Sequence, residues 1–252
     1  MNDLNRAKLR AIVPAAGKGT RLNLRDPDMP KAMFELNGRP MLEIVLENLN
    51  FISDRDITIV VGYGKDRIME RFGTSYNYVE QKEQLGTGHA VLVCADSFAD
   101  FDGDVLVTFG DMPLFRRDEM AKMCRFHDET GAACTMMTAE NPNLKLWARV
   151  VRDGDGRFQA IVEGKDCTPE QARIRELFSG VLVFDSRALF ETLPLVGRGN
   201  VQGEYYLTEV PELMARRGLR VETFLTADGD DLRGVNTPED VRICEEILKA
   251  RA

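Results

Sequence analysis

Ala11-Ile12-Val13-Pro14-Ala15-Ala16-Gly17-Lys18-Gly19-Thr20-Arg21-Leu22, followed by Lys31 in Met29-Pro30-Lys31-Ala32, is the stretch whose reading decides the fold. Ile12 and Val13 end an apolar run suited to a buried strand. Ala15, Ala16, Gly17 and Gly19 then strip the backbone of bulk, so that its N–H groups can approach an anion. Lys18, Arg21 and Lys31 add positive charge. Two better-known glycine patterns do not fit. A dinucleotide fingerprint requires a third glycine where Leu22 stands, and a Walker A loop closes on Gly-Lys-Ser/Thr, whereas Lys18 lies between the two glycines. The expectation is a strand-to-loop turn that cradles phosphate.

Working outward, Pro40 followed by Met41, Ile44, Val45, Leu46 and Leu49 gives an apolar stripe at helical spacing. Ile57–Val61 reads as a buried strand, Asp66–Phe72 as a helix and Tyr78–Glu80 as a short strand. A second glycine turn, Gly86-Thr87-Gly88, opens a helix expected over 90–97. Val105–Phe109 is a third apolar strand, and Gly110-Asp111-Met112-Pro113 places Asp111 just past its C-terminal end. Ligands of open parallel sheets bind in the crevice at those ends. Alternating βα units with near-continuous apolar strands predict a doubly wound α/β sheet.

The second half changes character. A helix is expected over 119–130 and a strand over 132–138, while Asp153-Gly154-Asp155-Gly156 between Val151 and Phe158 signals a hairpin. Thr168-Pro169 predicts a helix running to about Leu177, with strand returning at Gly180–Phe184. Gln202–Glu209 is expected to open a helix interrupted near Pro211, and Thr237 caps a final helix with Pro238 at its first position. One domain over 1–252 is therefore expected, with a nucleotide-binding half over about 8–115 and an acceptor-binding half, partly antiparallel, over about 116–252.

Composition excludes several classes. The net charge of −8 argues against general nucleic-acid binding, and the chain lacks an apolar run long enough to span a bilayer. The charged start Met1–Arg6 is not a signal peptide, so a cytoplasmic location is expected. The five cysteines are scattered, and the two histidines, His89 and His127, are too far apart for a metal cluster. Both histidines read as packing residues.

Six blocks occurring in order carry a resemblance: AAGKGTRL with PKAMFELNGRPM, EQLGTGHAV, GDMPL, IVEGKD, QGEYYLTEV and GVNTPEDV. From about Ala11 to Val241 the chain resembles the sugar-1-phosphate nucleotidyltransferases, most closely the uridylyltransferase domain of bacterial bifunctional N-acetylglucosamine-1-phosphate uridylyltransferase/glucosamine-1-phosphate acetyltransferase. The resemblance implies a nucleotide-diphospho-sugar transferase fold, a dinucleotide-binding-like mixed sheet with a smaller mixed α+β sugar-binding lobe. It implies a reaction joining UTP to a sugar 1-phosphate with release of pyrophosphate, and a requirement for Mg²⁺. By the same resemblance, Ala15, Ala16, Gly17 and Gly19 surround the nucleotide and Arg21 and Lys31 contact its phosphates. Gln81, Gly86, Thr87 and Gly88 read base and ribose, and Asp111 and Asn236 hold the metal. Glu163, Tyr205 and the positions of Ala148 and Ser179 face the sugar phosphate.

The chemistry agrees with that set. Nucleotidyl transfer needs in-line positioning and charge neutralisation rather than a protein nucleophile, because the attacking phosphate is already an anion. A hard cation prefers oxygens such as those of Asp111 and Asn236. Gln81 offers a donor and an acceptor, as the imide edge of uracil requires. Two positions depart from the family: Ala148 replaces a glycine and Ser179 an asparagine, both on the acceptor side. The acceptor sugar, the choice among UTP, dTTP and CTP, and homo-oligomerisation stay open, as does a catalytically silent module that binds nucleotide sugars. Residues 1–252 contain no hexapeptide-repeat segment, and acetyl transfer is not expected of them.

Overall fold

The computed structural model describes residues 8–22, 26, 28–141 and 147–251; the opening segment 1–6 read above lies outside them. In chain order the strands and α-helices are β1 (Lys8–Pro14), β2 (Glu35–Leu36), β3 (Arg39–Pro40), α1 (Met41–Asn48), β4 (Ile57–Val61), α2 (Lys65–Phe72), β5 (Asn77–Glu80), α3 (Thr87–Leu92), β6 (Gly103–Val107) and α4 (Arg117–Thr130). Then follow β7 (Cys134–Glu140), β8 (Arg149–Arg152), β9 (Phe158–Val162), β10 (Glu176–Asp185), α5 (Ser186–Thr192), α6 (Glu209–Arg216), β11 (Val221–Leu225) and α7 (Pro238–Arg251).

A nine-stranded sheet runs β11-β7-β10-β6-β1-β4-β5, with the β8–β9 hairpin attached through β10. β6, β1, β4 and β5 are parallel. β10 runs antiparallel to β6 on one side and β7 on the other, and β11 returns parallel to β7. This is the mixed sheet anticipated from the sequence.

The strands are apolar at nearly every position because both faces are covered. Ala11 and Val13 of β1 enter one core with Leu42, Val45 and Leu46 of α1, Ile68 of α2 and Met120 and Met123 of α4. Ile12, between them, points to the opposite core with Val91 of α3, Leu189 of α5 and Val210 and Met214 of α6. The same alternation divides Ile57, Ile59 and Val61 from Val60. A third cluster packs Cys244 of α7 against Met41 and Ile44 of α1 and Val235.

Three expected helices differ. Thr168 and Gln171 do exchange the reciprocal bonds of a capping box, 2.9 and 3.2 Å. Only a short 3₁₀ turn, Gln171–Arg173, follows, because Leu177 and Phe178 are drawn into β10 opposite Ala139 and Thr138. Tertiary pairing overrides the local start signal. Pro211 does not interrupt a helix begun at Gln202; it lies in the first turn of α6, where its missing N–H costs nothing, and 202–208 is non-helical. The helix expected over 90–97 begins earlier, at Thr87, and gives way after Leu92 to a 3₁₀ turn at Ala95–Phe98.

The ends of α4 and α7 meet at Asp231, which is fully buried. Its carboxylate accepts from Arg116 Nε at 3.2 Å, Arg251 at 3.0 Å and the Thr226 hydroxyl at 3.2 Å. Burial pushes the Asp231 carboxyl upward and Arg116 pulls it back. Removing one partner of a buried ion pair strands the others. Asp231→Ala is expected to cost about 3 kcal/mol of unfolding free energy, read from the urea midpoint at constant slope.

Candidate active site

β1, β5 and β6 all end on one edge of the sheet, where the chain leaves β1 toward β4 and β5 and later returns on the opposite side as β6. This is a topological switch point, where open α/β sheets hold ligands. A cavity of about 230 Å³ opens there. Pro14 to Gly17 after β1, Gln81 after β5, Gly86 and Thr87 before α3, and Phe109 and Asp111 after β6 line it together with Lys31.

The loop after β1 is fixed by Lys31, whose N–H donates to Gly17 O at 3.0 Å. Gly19 has a φ of 68°, and a Cβ there would lie 3.0 Å from the Lys31 side chain. A side chain would strain the turn and push Lys31 away. The Lys31 ammonium donates to Asp111 Oδ2, and to Asn236 Oδ1 at 2.8 Å. Arg21 donates to the same amide oxygen at 2.9 Å. Asp26, on the same loop, pairs with Arg67, and the backbone N–H of Asp28 together with Arg67 lowers its carboxyl pKa. Lys18 lies over the Tyr63 ring, 5.1 Å from its centroid.

Asn236 is brought to this point by two features. Val235 N–H donates to Asp111 O at 2.9 Å, and Asp240 accepts from the N–H groups of Asn236 and Thr237 at 3.0 and 2.8 Å. Thr237 Oγ1 in turn accepts from Asp240 N–H at 3.2 Å, closing the cap of α7 that the sequence announces.

Two oxygens, one from Asp111 and one from Asn236, thus converge on a single cationic centre. That donor set suits a hard divalent ion, with the remaining positions left to phosphate oxygens and water. No cluster of three or more His, Cys, Asp or Glu residues with metal-binding geometry occurs among the described residues.

Gln81 is buried, with 3% of its surface exposed. Its Nε2 lies 3.2 Å from Gly86 O and 3.0 Å from His89 Nδ1. The donor end of the amide is turned into the protein, and the base-facing role expected of both ends narrows to the oxygen. Gly86 takes a φ of 113°, and a Cβ there would fall 2.6 Å from Tyr205 O. This closeness is structural: Gly88 N–H donates to Tyr205 O at 2.7 Å, Tyr205 N–H to Leu85 O at 2.9 Å and Leu207 N–H to Thr87 Oγ1 at 3.0 Å.

Segment 205–208 carries this order to the other half of the site. Thr208 Oγ1 donates to Glu163 Oε1 at 3.1 Å. Burial raises the Glu163 carboxyl pKa, the Thr208 hydroxyl lowers it and Asp166 raises it. Tyr206 is buried beside Glu163 and Asp166, and burial followed by those carboxylates pushes its phenol up to about 12. The cavity lining does not include Glu163, Tyr205, Ala148 or Ser179. Ser179 Oγ accepts from Val181 N–H at 3.3 Å, so its hydroxyl serves its own strand irregularity; Ala148 packs in the core with Val150 and Phe178. Residue-by-residue reading missed Phe109, Gln84 and Glu204 on the cavity wall, and the Thr208 link. Gln84 lies within the quoted EQLGTGHAV block, and Glu204 and Thr208 within QGEYYLTEV; Phe109 carried no signal beyond its place in an apolar run.

Among the described residues no helix is long and apolar enough to cross a membrane. The Bifunctional protein GlmU of Pelotomaculum thermopropionicum is 36% identical over 243 residues, 96% of this chain and 52% of that protein. That of Lactobacillus gasseri is 38% identical over 240 residues, 95% of this chain and 51% of the relative. The chain thus spans about half the length of the curated relatives it matches. The fold is shared with a UDP-glucose pyrophosphorylase solved with UDP-glucose, at a TM-score of 0.77 and 18% identity, covering 98% of this chain and all of that one. It is shared also with a putative glucose-1-phosphate thymidylyltransferase of Bacillus anthracis, at a TM-score of 0.76 and 17% identity, covering 96% of this chain and 95% of that one. Residues 11–198 match the MobA-like NTP transferase domain, and the chain belongs to that family.

Proposed function

We propose that the protein transfers a uridylyl group from UTP to a sugar 1-phosphate, giving a UDP-sugar and pyrophosphate, with N-acetylglucosamine 1-phosphate as the first acceptor to test. The observation that carries this reading is the convergence of Lys31, Arg21, Asp111 and Asn236 at the switch point of the sheet. Relatives named GlmU and fold neighbours that are sugar nucleotidyltransferases support it.

In this reading an acceptor phosphate oxygen attacks the α-phosphorus, the Pα–O bond to the β-phosphate breaks, and pyrophosphate leaves with the bonding electrons. No proton moves, so no general base is needed. Lys31 and Arg21 neutralise the charge that accumulates on the leaving pyrophosphate, an electrostatic role strengthened where the cavity wall excludes water. Ala16 to Gly19 bring backbone N–H groups to the phosphates, the Ala15 N–H being held by Val60 O. Asp111 and Asn236 would hold Mg²⁺, which supplies charge neutralisation to the triphosphate and orients it. Glu163 accepts from sugar hydroxyls, held in place by Thr208. A half-buried carboxylate kept against its desolvation cost is a mark of a working site.

Asp111→Ala is expected to lower pyrophosphate release about a hundredfold or more while the thermal midpoint is kept, since Lys31 retains Asn236. The measurement is a pyrophosphate-release panel crossing UTP, dTTP, CTP and GTP with sugar 1-phosphates, with and without Mg²⁺. A fully active variant overturns the assignment, and a wild type silent with every pair overturns the function.

Glu163 also has a pH signature. Its folded-state pKa lies above the ordinary 4.5, so its stability contribution is fullest below that value and is lost as pH rises through the folded pKa. Glu163→Gln should therefore gain melting temperature relative to wild type on going from the acid side of 4.5 to neutral pH, while its KM for the sugar 1-phosphate rises. Parallel melting curves across that range would contradict the first expectation.

A further inference from the structure

We propose that His89 is a positioning residue that fixes the Gln81 amide so that its oxygen meets the imide N3–H of a uracil or thymine base, and so sets the choice of pyrimidine. The proposal rests on the nucleotidyl-transfer reading above and adds to it a residue that the six blocks contain but that no chemical role had claimed.

The argument begins with Gly86. A backbone carbonyl only accepts, so the terminus of the Gln81 amide 3.2 Å from Gly86 O is the amino end. The same nitrogen lies 3.0 Å from His89 Nδ1. With the amino group donating one hydrogen to Gly86 O, its second reaches an imidazole nitrogen that accepts. His89 is then the neutral tautomer with its proton on Nε2. Both amino hydrogens are used inside the protein, and turning the amide over would set the Gln81 oxygen against Gly86 O and require the His89 proton to move from Nε2 to Nδ1.

Gln81 lines the cavity, and its Oε1 makes no hydrogen bond among the described residues. The end left for a ligand is therefore an acceptor alone. Uracil and thymine present N3–H to it, whereas cytosine presents an N3 lone pair at the same position. A site built to accept from an N–H rejects the analogue lacking that hydrogen, because a buried acceptor is left without a partner. His89 has the restraint needed for this role. It lies on α3, whose start is bonded to segment 205–208 through Gly88 and Thr87, and its ring sits 6.4 Å from that of Tyr205.

Without the imidazole acceptor, only Gly86 O opposes rotation of the amide, and the amino end becomes available to the lone pair of cytosine. The test compares wild type, His89→Leu, which removes the acceptor, and His89→Asn, whose Oδ1 can stand near the place of Nδ1. Each is assayed for kcat/KM with UTP, dTTP and CTP at a saturating sugar 1-phosphate, with melting temperature recorded. The expected result is a fall of about tenfold in the UTP-to-CTP ratio for His89→Leu, expressed in KM for UTP with kcat held within about twofold. His89→Asn is expected to keep most of the wild-type ratio.

A His89→Leu variant of unchanged melting temperature and unchanged ratio overturns the proposal, as does a wild type that uses CTP as readily as UTP. Equal loss in the Leu and Asn variants reduces His89 to a packing role and overturns it too. In all these cases pyrophosphate release persists, so the nucleotidyl-transfer reading stands. Absence of release by wild type with every nucleotide removes both.

Discussion

The interaction on which the site depends is the Lys31 ammonium shared between Asp111 and Asn236. It joins the loop after β1, the loop after β6 and the turn before α7, residues as much as 205 positions apart. The two oxygens that face each other here, from Asp111 and Asn236, would be left to water without a cation between them. Lys31 supplies that cation from within the chain, and Arg21 adds a second at Asn236. The backbone serves the same end: Lys31 N–H is held by Gly17 O, and Val235 N–H by Asp111 O. Polar groups converge here because the parallel strands converge, and the strands can be parallel because helices cover both faces of the sheet.

Segment 205–208 is a second constraint, and it ties the glycine turn before α3 to Glu163. Through Gly88, Thr87 and Leu85 it closes on the glycine turn beside the cavity, and through Thr208 it reaches Glu163. Its backbone leaves no room for a side chain at Gly86. Glycine there is demanded by a neighbour more than a hundred residues away as well as by its own dihedral angle. Ser179 and Ala148 lie beyond this link. Ser179 is occupied with its own strand and Ala148 is packed into the core.

Much of this was legible in the chain itself. β4 runs from Ile57 to Val61 as its apolar run indicates, and Thr237 with Asp240 caps α7 where the sequence places the cap. The failures share a cause. Thr168 and Gln171 form the capping box of a helix that never extends, because Leu177 and Phe178 gain more from pairing with β7. Gln81 reads as a two-sided amide until Gly86 O and His89 claim its nitrogen. Local signals state what a segment can do, and long-range partners choose among those options.

The sequence by itself determined most of the elements, the α/β class and the order of the six blocks, because hydrophobic period, turn residues and caps act over a few residues. It also nominated Arg21, Lys31, Gln81, Asp111 and Asn236. Only the tertiary structure decided that Asp111 and Asn236 share the Lys31 ammonium, and that the Gln81 amide turns its nitrogen to Gly86 O and His89. Those outcomes depend on which strand ends meet at one edge of the sheet, and that proximity is created by the register of strands far apart in the chain.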